Sequence, residues 1–301
     1  MKELKIGNRI LKIKDYYCAA CDEDYISRSD NKLWLYVNIT HMCNAKCPFC
    51  VNPSGKNGGE NSFSMDKFRK TLLNISPFVS GVSVTGGEPM LYPHLVDETA
   101  MAVTGILGTK VEIDLVTNGT ALNEILKLKT MDRFESIHIS RHKTDDAQNA
   151  ALMAADTPKI QEIKELIGVL SDPAKIVLNC VMQKNGVSNA SEMAEYLEMA
   201  AEAGVRNTSF VGFFIANQFC KDNYVSPADI DLSQDKRFRI WNKFNDYDYC
   251  RCCSGDYSTK SGNVRFYYRC PGEKSADYCR QLVYTADNKL LDGFGGKEIT
   301  F

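Results

Sequence analysis

Six short runs of β-branched and aliphatic residues, separated by stretches with helical spacing, limit this fold more than any other feature. They are LWLYVNIT (33–40), GVSVTG (81–86), VEIDLVTN (111–118), SIHIS (136–140), KIVLNCVM (175–182) and TSFVGFFI (208–215). Several are apolar almost throughout, as strands covered on both faces are. Between them, SMDKFRKTLLNI has Ser64 as an N-cap, and SNASEMAEYLEMAAEAGV runs to a stop at Gly204. Five or six βα units in a row predict a parallel sheet with helical crossovers, closed into a barrel or part-barrel. Before them, LKIGNRILKI reads as a hairpin about Gly7-Asn8. After residue 216 the period breaks, and the chain becomes polar, aromatic and cysteine-rich.

The chain has 301 residues, 44% hydrophobic and 25% charged, which is ordinary globular composition. Its formal net charge of -2 offers no global basic field for nucleic acid or an anionic membrane. No apolar run is long enough to span a bilayer, and the N-terminus is not a signal peptide. A cytoplasmic location is therefore expected, where thiols stay reduced. Twelve cysteines in such a place call for metal or catalysis.

Three of them, Cys43, Cys47 and Cys50, lie in HMCNAKCPFC, just past the first barrel strand. Function in parallel α/β folds collects at the C-terminal ends of strands. A loop there can turn three sulfurs toward one centre. Structural zinc wants four protein ligands, usually as two separated pairs. An iron–sulfur cube held by three cysteines keeps one iron open. By spacing alone, a zinc loop or unliganded thiols remain alternatives.

The spacing C-x-x-x-C-x-aromatic-C after the first strand of a βα repeat resembles the signature of radical S-adenosylmethionine (SAM) enzymes, with Cys43, Cys47, Phe49 and Cys50 in place. SVTGGEP ends the second strand with Gly86, Gly87, Glu88 and Pro89, LVTNGT ends the third with Asn118, and HISRH ends the fourth with Ser140 and Arg141. The resemblance covers residues 33 to 215. It implies a [4Fe–4S] cluster on the three thiolates, with SAM chelated at the open iron. It implies SAM contacts from Phe49 (adenine), Gly86 and Gly87 (methionine amine), Glu88, Asn118, Ser140 and Arg141. It also implies an electron donor such as flavodoxin or ferredoxin. The expected architecture is a partial (β/α)6 TIM-like barrel over residues 31–216. A hairpin and CxxC segment (1–30) precedes it, and a cysteine-rich extension (217–301) follows.

Other readings of these residues are plain. Glu88 can cap a helix, Asn118-Gly119 is a good turn pair, and Ser140-Arg141 can open a helix. Asn179, polar within a strand, needs a partner. His142, near the mouth, is a candidate acid or base. In the tail, Cys250 and Cys253 form a C-x-x-C pair followed by Cys270 and Cys279. This partly resembles the auxiliary-cluster segment of the molybdenum-cofactor cyclase type, with a longer spacing. A zinc site is the alternative. Cys18 and Cys21 form a pair without an adjoining second half.

The expected function is reductive cleavage of SAM to a 5′-deoxyadenosyl radical, which takes a hydrogen atom from a small molecule or peptide. The N-terminal segment is short for a leader-peptide-binding domain. The alternatives are an activase of a glycyl-radical enzyme and a zinc-stabilised α/β binding protein.

Overall fold

A computed structural model of the chain describes residues 2–13, 33–52, 62–226, 230–240, 254–269, 279 and 281–301. The expected hairpin is present. Strands β1 (Lys2–Ile6) and β2 (Arg9–Ile13) pair antiparallel. Gly7 sits at the turn with φ +52°, which costs glycine little.

The six apolar runs form the six expected strands, each followed by helix: β3 (Leu33–Asn38) and α1 (Met65–Ile75), β4 (Val79–Thr85) and α2 (Pro93–Leu107), β5 (Glu112–Thr117) and α3 (Leu122–Ile125). Next come β6 (Ser136–Ser140) with α4 (Asp146–Met153) and α5 (Ile160–Val169), then β7 (Ile176–Val181) with α6 (Ala190–Glu202), and β8 (Asn207–Val211) with α7 (Gln218–Asp222). The Ser64 hydroxyl accepts from the Lys67 N–H, so it caps α1 as expected. Asn189 does the same for α6 through the Glu192 N–H.

These six strands lie side by side and parallel, in chain order. Parallel register puts partners on the same face and alternate residues on opposite faces. Leu35, Val82 and Ile113 share one face, and all are fully buried. Helices cover that face: the rings of Phe68 on α1 and Tyr196 on α6 meet sheet rings there. Tyr36, Ser83, Asp114 and Ser136 share the other face. That face is the inside of a partial TIM-like barrel, and it is polar.

The stretch after residue 216, expected as a separate unit, threads back into the same sheet. Beyond β9 (Phe238–Ile240) and β10 (Ser254–Thr259), strand β11 (Gly262–Arg269) pairs parallel with β8. At the opposite edge β12 (Gln281–Tyr284) pairs parallel with β3, and β13 (Leu290–Leu291) and β14 (Glu298–Ile299) follow antiparallel. Polar ties fasten this arm. Asn288 accepts from the Ser64 N–H at 2.7 Å and donates to the Ser62 carbonyl at 2.7 Å. Arg9 pairs with Asp292 at 2.9 Å, which joins the hairpin to the arm. No helix among the described residues is long and apolar enough to cross a membrane.

Candidate active site

Four loops meet at the C-terminal end of the sheet. The first, 41–50, carries the cysteine triplet. Cys43 and Cys47 are half-buried and Cys50 is exposed. Sulfur in this loop already accepts backbone N–H groups: Ala45 donates to Cys43 Sγ at 3.4 Å and Asn52 to Cys50 Sγ at 3.4 Å. Burial, then the neighbouring Cys50 and Cys43, pushes the Cys47 thiol up to about 12. Burial also raises Cys43. Thiols raised as these two are become thiolates together only against positive charge, which a bound metal supplies. No three His, Cys, Asp or Glu side chains among the described residues converge on a single metal ion. An iron–sulfur cluster takes one thiolate on each of its ligated irons, and Cys43, Cys47 and Cys50 offer three free thiols on one loop. The donor set fits a cluster.

The second loop follows β4. The Gly87 N–H donates to the Thr40 carbonyl at 2.7 Å, and the Glu88 N–H to the Met42 carbonyl at 2.7 Å. A β-carbon at Gly86 would stand 2.6 Å from the Thr40 oxygen, and one at Gly87 would strike the Met42 carbonyl. Glycine is required here by close approach of the cysteine loop. The expectation had been approach of a ligand.

Glu88 is 1% exposed. Its carboxylate accepts from the Met90 N–H (2.9 Å), the Thr117 hydroxyl (2.6 Å) and the Asn118 N–H (2.6 Å). Burial raises its pKa to about 7, and those three bonds work against the rise. The carboxylate therefore clasps the third loop, after β5. There the Asn118 amide donates to Asn44 Oδ1 at 2.8 Å and to Cys43 Sγ at 3.9 Å.

The fourth loop follows β6. Ser140 is half-buried at the strand end, opposite Asn179 on β7. Arg141 is fully buried. Its guanidinium donates to the Thr144 carbonyl and Asp146 carboxylate at 2.7 Å each, and to the Pro158 carbonyl at 3.3 Å. Asn179 meets His138 at 3.0 Å inside the sheet. His142 is buried, and its Nδ1 accepts from the Val181 N–H at 3.0 Å. Burial drops its pKa to about 3, so the ring is neutral and carries its proton on Nε2. It lies edge-on to Phe49, with centroids 4.9 Å apart.

Phe49 also packs against Phe213, Phe219 and Cys220. Asn217 caps α7 through the Cys220 N–H and donates to the Pro48 carbonyl at 2.9 Å, fastening this wall to the cysteine loop. The sequence reading missed this wall, although Asn217 before a short helical run is an N-cap signal. Cys18, Cys21, Cys250, Cys253 and Cys270 lie outside the described residues. Cys279 starts the arm, its thiol 3.5 Å from the Gln281 and Asp292 carbonyls.

The family model of the Radical SAM superfamily matches residues 37–216. The chain belongs to the radical SAM superfamily. As a radical SAM enzyme it uses a [4Fe–4S] cluster and SAM. A GTP 3′,8-cyclase of Mycobacterium sp. (strain KMS) is 30% identical over 127 residues, 40% of this chain and 35% of that protein. A probable GTP 3′,8-cyclase of Saccharolobus islandicus (strain Y.N.15.51 / Yellowstone #2) is 29% identical over 185 residues, 59% of this chain and 56% of that one. The chain thus spans 35% to 56% of the length of these curated relatives. In fold it is similar to Streptococcus suis SuiB bound to precursor peptide SuiA, with TM-score 0.60 and 16% identity over 88% of this chain and 60% of that one. SuiB bound to S-adenosylmethionine aligns with TM-score 0.59 and 17% identity, over 88% of this chain and 60% of that one.

Proposed function

We propose that Cys43, Cys47 and Cys50 hold the cluster, and that the enzyme abstracts a hydrogen atom from a polar small molecule or a peptide. When bound, the cluster and SAM supply one-electron cleavage and a 5′-deoxyadenosyl radical. The observation that carries this reading is the seam between the cysteine loop and the β4 and β5 ends. Gly87, Glu88 and Asn118 all bond to residues 40–44, which ties the cysteine loop to the ends of β4 and β5. Glu88 acts in this reading by fixing the Asn118 turn. Phe49, backed by His142 and Phe213, offers an apolar wall for an adenine. Gly86 and Ser140 contribute polar groups beside it. In this reading residues 31–216 are the catalytic barrel, and the described strands of 217–301 pair at the two edges of its sheet. An external electron donor of the flavodoxin or ferredoxin kind supplies the electron.

A polar substrate is supported by the inside face of the sheet. There Asp114, Ser136, His138 and Asn179 form one hydrogen-bonded row. The buried Ser209 hydroxyl, on the same face, has no partner among the described residues. GTP, the substrate in the relatives' names, is one polar compound to assay. The tail cysteines Cys250, Cys253 and Cys270, with Cys279, are candidates for a second cluster.

The test is anaerobic reconstitution followed by mass spectrometry of 5′-deoxyadenosine with deuterated candidate substrates. Deuterium in the product 5′-deoxyadenosine identifies the substrate and the abstraction together. A reconstituted protein that binds zinc and never cleaves SAM overturns the proposal.

A further inference from the structure

The Asn118 amide is spent on the cysteine loop. Its Oδ1 accepts from the Thr120 N–H at 2.9 Å and the Thr120 hydroxyl at 2.8 Å. A backbone N–H can only donate, so this contact settles which amide atom is oxygen. The nitrogen then faces residues 43–44, and its two hydrogens have two acceptors: Asn44 Oδ1 at 2.8 Å and Cys43 Sγ at 3.9 Å. Asn44 closes the ring by donating to the Thr120 hydroxyl at 2.8 Å. The Asn118 backbone N–H is held by Glu88 at 2.6 Å, and the residue is only 7% exposed. Every polar group of the side chain has a partner, and the turn beneath it is clamped.

We propose that Asn118 is a positioning residue for Cys43, which tunes the reduction potential of the cluster through an N–H···S hydrogen bond. This rests on the function proposed above. It assigns the side chain to sulfur, where the motif had suggested SAM. Reduction adds negative charge to the cluster and its thiolates. A donor aimed at a ligating sulfur stabilises that added charge and raises the potential. Cys43 also receives the Ala45 N–H. It thus takes one donor from its own loop and one from the loop after β5, and the second depends on the Thr120–Asn44 ring.

The experiment is an EPR-monitored redox titration of the reconstituted full chain, with iron, sulfide and SAM affinity measured beside it. Asn118→Leu keeps the approximate shape and removes the donor. Its cluster potential is expected to move negative, with iron and sulfide at the parent's level and SAM affinity within about twofold. Thr120→Val removes the hydroxyl that aims both amides, and a smaller negative shift is expected. An unchanged potential in an intact Asn118→Leu cluster overturns the proposal. So does a fall in SAM affinity with the potential unmoved, which returns the side chain to SAM. If Asn118→Leu loads no cluster, Asn118→Ala and Thr120→Val decide by the same reading of the potential. A parent that assembles no cluster on the triplet overturns the function beneath the proposal as well, and so is told apart from these outcomes.

Discussion

The Glu88 carboxylate holds the backbone N–H of Asn118 at 2.6 Å, while the Glu88 N–H holds the Met42 carbonyl at 2.7 Å. One residue thereby joins the cysteine loop, the end of β4 and the end of β5. Replacing it by alanine orphans the Thr117 hydroxyl and two buried N–H groups. Each orphan costs about 1–3 kcal/mol, so Glu88→Ala should lose on the order of 3 kcal/mol by urea unfolding of the cluster-free chain. A loss below about 0.5 kcal/mol would mean these bonds are replaced by water.

Glu88 and His142 pull stability in opposite directions with pH. Folded Glu88 titrates near 7 against 4.5 ordinarily. Between those values the folded chain keeps a proton that the unfolded chain has released, so stability falls as pH rises. Folded His142 titrates near 3 against 6.5. There the unfolded chain holds the extra proton, so stability rises with pH. From pH 4.5 to 6.5 the two slopes oppose. Glu88→Gln should leave a steeper rise with pH over that window, and His142→Asn a fall. Unfolding curves at several pH values check both signs.

Arg141→Met should lower the melting temperature, because Asp146 and the Thr144 and Pro158 carbonyls lose their shared donor. The SAM affinity of the folded protein should stay close to the parent's. A loss of SAM binding with an unchanged melting temperature would instead put the guanidinium on SAM.

Gly87→Ala should cut cluster loading severalfold, since its β-carbon collides with the Met42 carbonyl and pushes the cysteine loop outward. Iron and sulfide analysis after reconstitution measures this directly. Full loading would show that the loop yields.

A variant lacking Cys43, Cys47 and Cys50 should form no 5′-deoxyadenosine. Iron and sulfide that remain in it would support a second cluster, for which Cys250, Cys253 and Cys270 are the candidates. A metal-free or zinc-bound product would rule a second cluster out. Adding Cys279→Ala to the triplet-free variant then asks whether Cys279 is a ligand or only a thiol bonded to the Gln281 and Asp292 carbonyls.

Much of the barrel could be read from the chain because each strand is short, apolar and followed by helical spacing. The triplet, GGEP and Ser140 were equally visible, as each sits at a strand end. What the side chains do there was less readable. Glu88 and Arg141 carry charges that suggest a ligand, yet both are buried and bonded within the protein, and no pattern along the chain encodes that direction. Strand β12 lies where the βα period has broken, and its partner, β3, is some 250 residues away. A parallel pairing between distant segments leaves no local signal. Asn44, Asn217 and Thr120 are ordinary loop residues until the fold brings them to the sulfurs.

The pairing of β3 with β12 sets a schedule for synthesis. The strand that ends at the cysteine loop gains one neighbour, β4, early, and the other only once residues 281–284, some 250 residues later, have been made. Long-range pairings of this kind form late. Iron would therefore be best inserted after β12 has been made, into a sheet whose strand beside the metal loop has both of its neighbours. A chain stopped short of residue 281 would present an open strand next to the cysteine loop, a template for aggregation.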